Sequence, residues 1–180
     1  MNLIETFQDL VAQVPELVQP LIVALAGAIP FIEGEGAAAI GIIGGIHPII
    51  AAIAAIAGNF LCVAILVLAS SGARQAIVTR RAQSREGTAT AGGGVATTTV
   101  VEEGDRRSAR KQKFQSALSR YGVPGVSLLG PLLLPTQFTA TMLAAAGVSK
   151  ARVLFWQALA IVGWTTIITL IITGALSAFL

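Results

Sequence analysis

The chain has 180 residues, 54% of them hydrophobic and 12% charged, with a formal net charge of +3. A soluble domain carries about 25% charged residues, so this composition excludes a disordered chain and argues against an ordinary soluble domain. One cysteine, Cys62, and one histidine, His47, exclude an internal disulfide, a cysteine-rich metal site and a histidine cluster for zinc.

Residues 3–18 place Leu3, Ile4, Phe7, Leu10, Val11 and Val14 at helical spacing among polar positions. The segment 1–16 is therefore expected to be an amphipathic helix, either lying on the membrane surface or packed on the rest of the protein. Glu5 and Asp9, with no basic residue before them, are the wrong opening for a cleavable signal peptide.

Uncharged runs organise the remainder: 17–32, 36–73, 121–149 and 153–180. Crossing a bilayer takes about 20 apolar residues as a helix. Ile49–Ala69 and Val153–Phe179 meet that length and are read as transmembrane helices. The other stretches are dense in breakers. Pro20, Gly27 and Pro30 interrupt 17–32, Gly41, Gly44 and Gly45 follow, and Pro124, Gly130, Pro131 and Pro135 interrupt 123–148. Proline removes a backbone donor, and broken helices survive at membrane depth only when buried in protein or lining a cavity. Both stretches are expected to be re-entrant hairpins, with a kinked spanning helix as the alternative.

The segment 72–120 holds ten of the twelve basic residues, among them Arg74, Arg80, Arg81, Arg106, Arg110 and Lys113, against four acidic ones. Basic loops stay cytoplasmic, which explains the cluster without nucleic acid. Its Gly/Thr-rich middle, 84–105, is expected to be a disordered linker. Arg106–Tyr121 is expected to be a basic helix with Phe114, Leu118 and Tyr121 on one side, against anionic membrane lipid. Lys150 and Arg152 also fall inside if 121–149 enters and leaves on the cytoplasmic side.

Shifting the second half back by 105 residues superposes Pro30 on Pro135, Gly58 on Gly163, and the two long helices on each other. The expected architecture is an all-α integral membrane protein of one domain, with two inverted repeats (17–71 and 121–180), each a broken hairpin followed by a long helix. Broken segments in corresponding positions of inverted repeats point to a transport site near the midplane.

The first tip reads Pro30-Phe31-Ile32-Glu33-Gly34-Glu35-Gly36. Acidic residues at membrane depth usually face a cavity and mark a proton or ion path. Burial and a like-charged neighbour both favour the protonated form, so Glu33 or Glu35 is a candidate proton site; a watery external loop is the alternative. The second tip offers Thr136, Gln137, Thr139 and Thr141, either as cavity-lining groups or as partners for backbone freed by the prolines. Asn59, behind Gly58, is expected to bond to another helix or to contact substrate. Gly58 and Gly163 are expected to allow close backbone approach. His47 reads as interfacial, Trp156 as part of the inner aromatic belt, Trp164 as packed, and Cys62 as a small core residue. No nucleotide loop, metal-ligand spacing or hydrolase motif is present, so neither enzymatic activity nor a cofactor is expected.

The segments Ala28-Ile29-Pro30-Phe31-Ile32-Glu33-Gly34-Glu35-Gly36, Ala57-Gly58-Asn59 and Tyr121-Gly122, with Gly130-Pro131, Pro135, Gly147 and Trp156, resemble the bacterial small multidrug export protein family. More distantly the layout is similar to the DedA-like superfamily of paired re-entrant hairpins. The resemblance implies a small transporter or exporter of the plasma (inner) membrane, with Glu33 at the position of the first hairpin's acidic residue. Related superfamily members imply lipid translocation as an alternative. The departures are Glu35, where members often carry a basic residue, and Thr136 and Gln137, where a DedA-like second hairpin usually bears an arginine. The expected function is transport of a small molecule, possible also as proton-coupled transport through Glu33 or Glu35. A third reading is a non-transporting membrane subunit. So few hydrophobic segments suit a homodimer.

Overall fold

A computed structural model describes residues 3–86 and 101–179, and among them every regular element is helical. The helices are α1 (Leu3–Gln13), α2 (Gln19–Gly27), α3 (Glu33–Ile43), α4 (Pro48–Glu86), α5 (Val101–Leu129), α6 (Thr136–Ala145) and α7 (Lys150–Phe179), with a 3-10 turn at Gly130–Leu132.

Among the described residues two helices are long and apolar enough to cross a membrane: Pro48–Ser70 within α4, mean hydropathy 2.6, and Lys150–Ala178 within α7, mean hydropathy 2.1. At about 1.5 Å per residue both exceed a ~30 Å hydrocarbon core. Only 28% and 17% of these spans is buried, which is not how a soluble protein treats a core helix. Ile53, Leu61, Ile65 and Leu68 of α4 and Leu159, Ile167, Leu170 and Ile171 of α7 face outwards. By contrast α2, α3 and α6 have 9, 11 and 10 residues, roughly half the bilayer's thickness at that rise.

Some of the expected breakers end helices, whereas Pro20 sits in the first turn of α2, Gly41 lies inside α3 and Pro124 lies inside α5. α2 ends at Gly27 before Pro30, α5 ends at Leu129 before Pro131, and Pro135, extended at φ −52° and ψ 142°, precedes α6. Gly122, at φ 67°, interrupts α5 at the boundary between its basic and apolar parts. Phe114 is buried there and Leu118 packs beside it, whereas Tyr121 is exposed beneath the Arg120 guanidinium, 5.5 Å from the ring centre. α1 packs on the body through Val11, fully buried against α2–α4, while Ile4 and Leu10 stay exposed.

Two expectations change. Much of the expected loop is helix: α4 runs on to Glu86 and α5 starts at Val101. Residues 73–86 are rich in Ala, Arg and Gln, which carry high helix propensity. The Gly/Thr-rich centre of the linker, 87–100, lies outside the described residues. Gly163 also differs, since a Cβ there would meet nothing within 4 Å.

Gly58 behaves as expected. A Cβ at Gly58 would overlap the Ala24 carbonyl oxygen, and one at Gly27 would come within 2.7 Å of the Ala55 carbonyl oxygen. Small residues on both helices thus let α2 and α4 touch backbone to backbone. α4 threads two apolar clusters, one with α1–α3 around Val23, Ala37, Ile40 and Ala55, the other with α5–α7 around Val63, Leu143 and Ile161. The short helices cross over: α3 packs on both α4 and α7, and so does α6.

Candidate functional site

The N-termini of α3 and α6 meet in the interior. A helix N-terminus presents free N–H groups and a partial positive charge. Because Pro135 starts α6 abruptly, the Thr136 N–H has no helical acceptor, and it donates to Glu33 Oε1 at 2.5 Å. Glu33 is buried, 6% exposed, so its external-loop alternative is replaced by a site between the two tips. A hydrogen bond to a charged group contributes about 1.5–3 kcal/mol net.

Asn59 ties the tips to the long helix. Its Oδ1 accepts from Gln137 Nε2 at 3.2 Å and from Thr136 Oγ1 at 3.4 Å. All three side chains are buried. The α2–α4 contact at Gly58 fixes the depth at which Asn59 enters. Thr139, one turn into α6, gives its hydroxyl to the Pro135 carbonyl at 3.4 Å, and the half-buried Thr141 gives its own to the Phe138 carbonyl. Both hydroxyls bond back along α6, and the Pro135 carbonyl also accepts the Phe138 and Thr139 N–H groups, so neither threonine fills a gap left by the proline. Glu35 is half-buried and lines the adjoining cavity rather than joining the network.

That cavity holds about 480 Å³, with Glu33, Glu35, Phe31, Pro135, Trp164 and Ile168 in its walls. Trp164 is held by its indole N–H, which donates to the Leu128 carbonyl at 2.8 Å. The first tip is strained: Phe31 and Glu33 have φ of 74° and 54°, where a residue with a side chain costs of order 1–3 kcal/mol. Such outliers persist where the surrounding structure over-determines them, often at functional sites. The Phe31 and Phe138 rings lie 6.4 Å apart, beside the Glu33–Thr136 bond. The 105-residue shift carries Phe31 onto position 136 and Glu33 onto position 138, so it exchanges one contact for the other.

Several contributors escaped the sequence reading. Gly34 lies against Thr165 of α7, and a Cβ there would overlap the Thr165 hydroxyl. Gln157 is fully buried and bonds to Ser127 at 3.4 Å. Gln157, Thr165 and Thr169 recur on one face of α7 at helical spacing, a polar row in an apolar span that periodicity alone could have revealed. Gly34→Ala is expected to cost about 1–3 kcal/mol by overpacking, and Thr165→Ala in the same chain should recover most of it. Thermal unfolding of both variants in detergent checks this; no recovery would refute the contact.

His47 caps α4 from outside this cluster, its Nδ1 accepting the Ile49 N–H at 3.3 Å, and the half-buried Cys62 lies on α4 beyond it. Comparison with family models, curated proteins and solved structures finds no match.

Proposed function

We propose that the protein is a multi-pass transporter of a small molecule in the bacterial plasma membrane, coupled to protons through Glu33. The observation that carries this reading is the buried Glu33 carboxylate on the α6 N-terminus, in the wall of a cavity, within a chain whose long helices are apolar outside. A carboxylate so placed answers its proton state mechanically. Charged, it accepts the Thr136 N–H and draws the tips together. Protonated, it holds that donor less strongly, and the tips can part.

The inverted-repeat, re-entrant arrangement is part of the same proposal. It is supported by the shortness of α2, α3 and α6, by the crossed packing of α3 on α7 and α6 on α4, and by the exchange of the two tip contacts. The basic segment 72–120 supports a cytoplasmic location for that end of α4. The resemblance to small multidrug exporters suggests ethidium as the first solute to try.

Purified protein in liposomes should accelerate ethidium movement over empty vesicles, with a rate that depends on an imposed pH difference. Glu33→Gln keeps an acceptor for Thr136 but cannot ionise, so it should abolish the pH dependence. Unchanged pH dependence in this variant would remove Glu33 from the mechanism.

A further inference from the structure

Four buried side-chain oxygens lack a hydrogen-bond partner among the described residues: Gln137 Oε1, Gln157 Oε1, Thr165 Oγ1 and Thr169 Oγ1. Three belong to α7, and all four belong to residues at least nine-tenths buried. In a span facing lipid, an orphaned polar group bears its full desolvation penalty. A threonine in a helix normally avoids this by donating to the carbonyl four residues back. Thr173 does so, to Thr169 at 2.8 Å. Thr165 and Thr169, on the same face, do not.

Their placement gives a reason. The Thr165 hydroxyl rests against Gly34, the residue after Glu33, where no side chain intervenes. Thr169 is one turn further on, about 6 Å along the axis. Thr173 follows at a half-buried position, and residues 174–178 are exposed. In the opposite direction the next turn holds Ile161, 1% exposed and without a polar atom. Buried water needs two to four polar partners, and the unspent hydroxyls of Thr165 and Thr169, with the unpartnered Oε1 of Gln137, the residue after Thr136, offer them.

We propose that the face of α7 carrying Thr165 and Thr169 lines a hydrated path, connecting Glu33 with the aqueous side at the C-terminal end of α7 and closed towards Lys150 by Ile161. The ligand of this site is water. The proposal rests on reading α7 as a membrane span but not on transport, and its readouts need no transported solute.

Cysteine accessibility tests it. With Cys62→Ser as background, single cysteines are placed by T165C, T169C and I161C, and at the lipid-facing positions by I167C and L170C. A small charged methanethiosulfonate is applied to liposomes from each side. T165C and T169C should react at least tenfold faster than I167C and L170C, and only from the side of the α7 C-terminus, while I161C stays unreactive. Rates at 165 and 169 no faster than at 167 and 170 overturn the path; if all four are fast, the membrane span falls with it. Reaction of I161C, or reaction from the Lys150 side, overturns the closure. Thr165→Val gives an independent answer, since valine keeps the shape and removes the hydroxyl. A hydrated hydroxyl predicts a lower Tm in the variant; a higher Tm means a dry, orphaned group and refutes the path.

Discussion

Gly58→Ala will destabilise the protein by about 3 kcal/mol, the upper end of the range for overpacking. The added Cβ falls inside the van der Waals envelope of the Ala24 carbonyl oxygen, with the Ala24 carbonyl carbon and Cα also within contact. None of these atoms can rotate away, as the end of a side chain would. Relief requires α2 to move off α4, and that contact also sets the position of Asn59, whose Oδ1 holds Thr136 and Gln137. The variant should therefore lose rigidity at the tips as well as stability. Gly163→Ala is the control: its Cβ enters open space, and it should change stability by less than about 0.5 kcal/mol, as surface substitutions do. Denaturant or thermal unfolding in one detergent separates the two; equal losses would refute the backbone contact.

The second large effect is at Glu33. Glu33→Leu removes the acceptor of the Thr136 N–H and leaves that donor buried and unpaired, a loss of about 1–3 kcal/mol. Glu33→Gln retains a carbonyl oxygen of nearly the same reach and should lose clearly less. The ordering of wild type, Gln and Leu in thermal unfolding is the test. If Leu is the most stable, the carboxylate is held against the fold's preference, for function alone, as buried charged groups sometimes are. In that case the strained φ of Phe31 and Glu33 and the hydrogen bond would have to be assigned to different states of the tip.

How far the sequence carries the structure can be judged residue by residue. Pro30, Pro131 and Pro135 announce the breaks because a ring on the backbone acts locally, whatever surrounds it. Gly58 and Asn59 stand out because a small and a polar residue are conspicuous in an apolar span. The pairing of Glu33 with Thr136 is not readable, since it joins positions 103 apart and depends on how α3 and α6 dock. Gly163 misled for the same reason: its likeness to Gly58 is one of sequence, whereas close approach depends on the neighbour, and on α7 the next residue, Trp164, reaches α5 through its bond to Leu128 instead. The continuation of α4 to Glu86 shows charge pattern being read as loop where helix propensity decided the backbone. The resemblance to small exporters rests on the motifs themselves.

The crossed seating of the short helices has a thermodynamic corollary. α3 completes its packing on α7, and α6 completes its own on α4, so each half supplies a wall of the other. Neither half buries its short helix without its counterpart, and partial unfolding of one strips the other of its support. The domain should lose structure in one concerted step, rather than melting half by half.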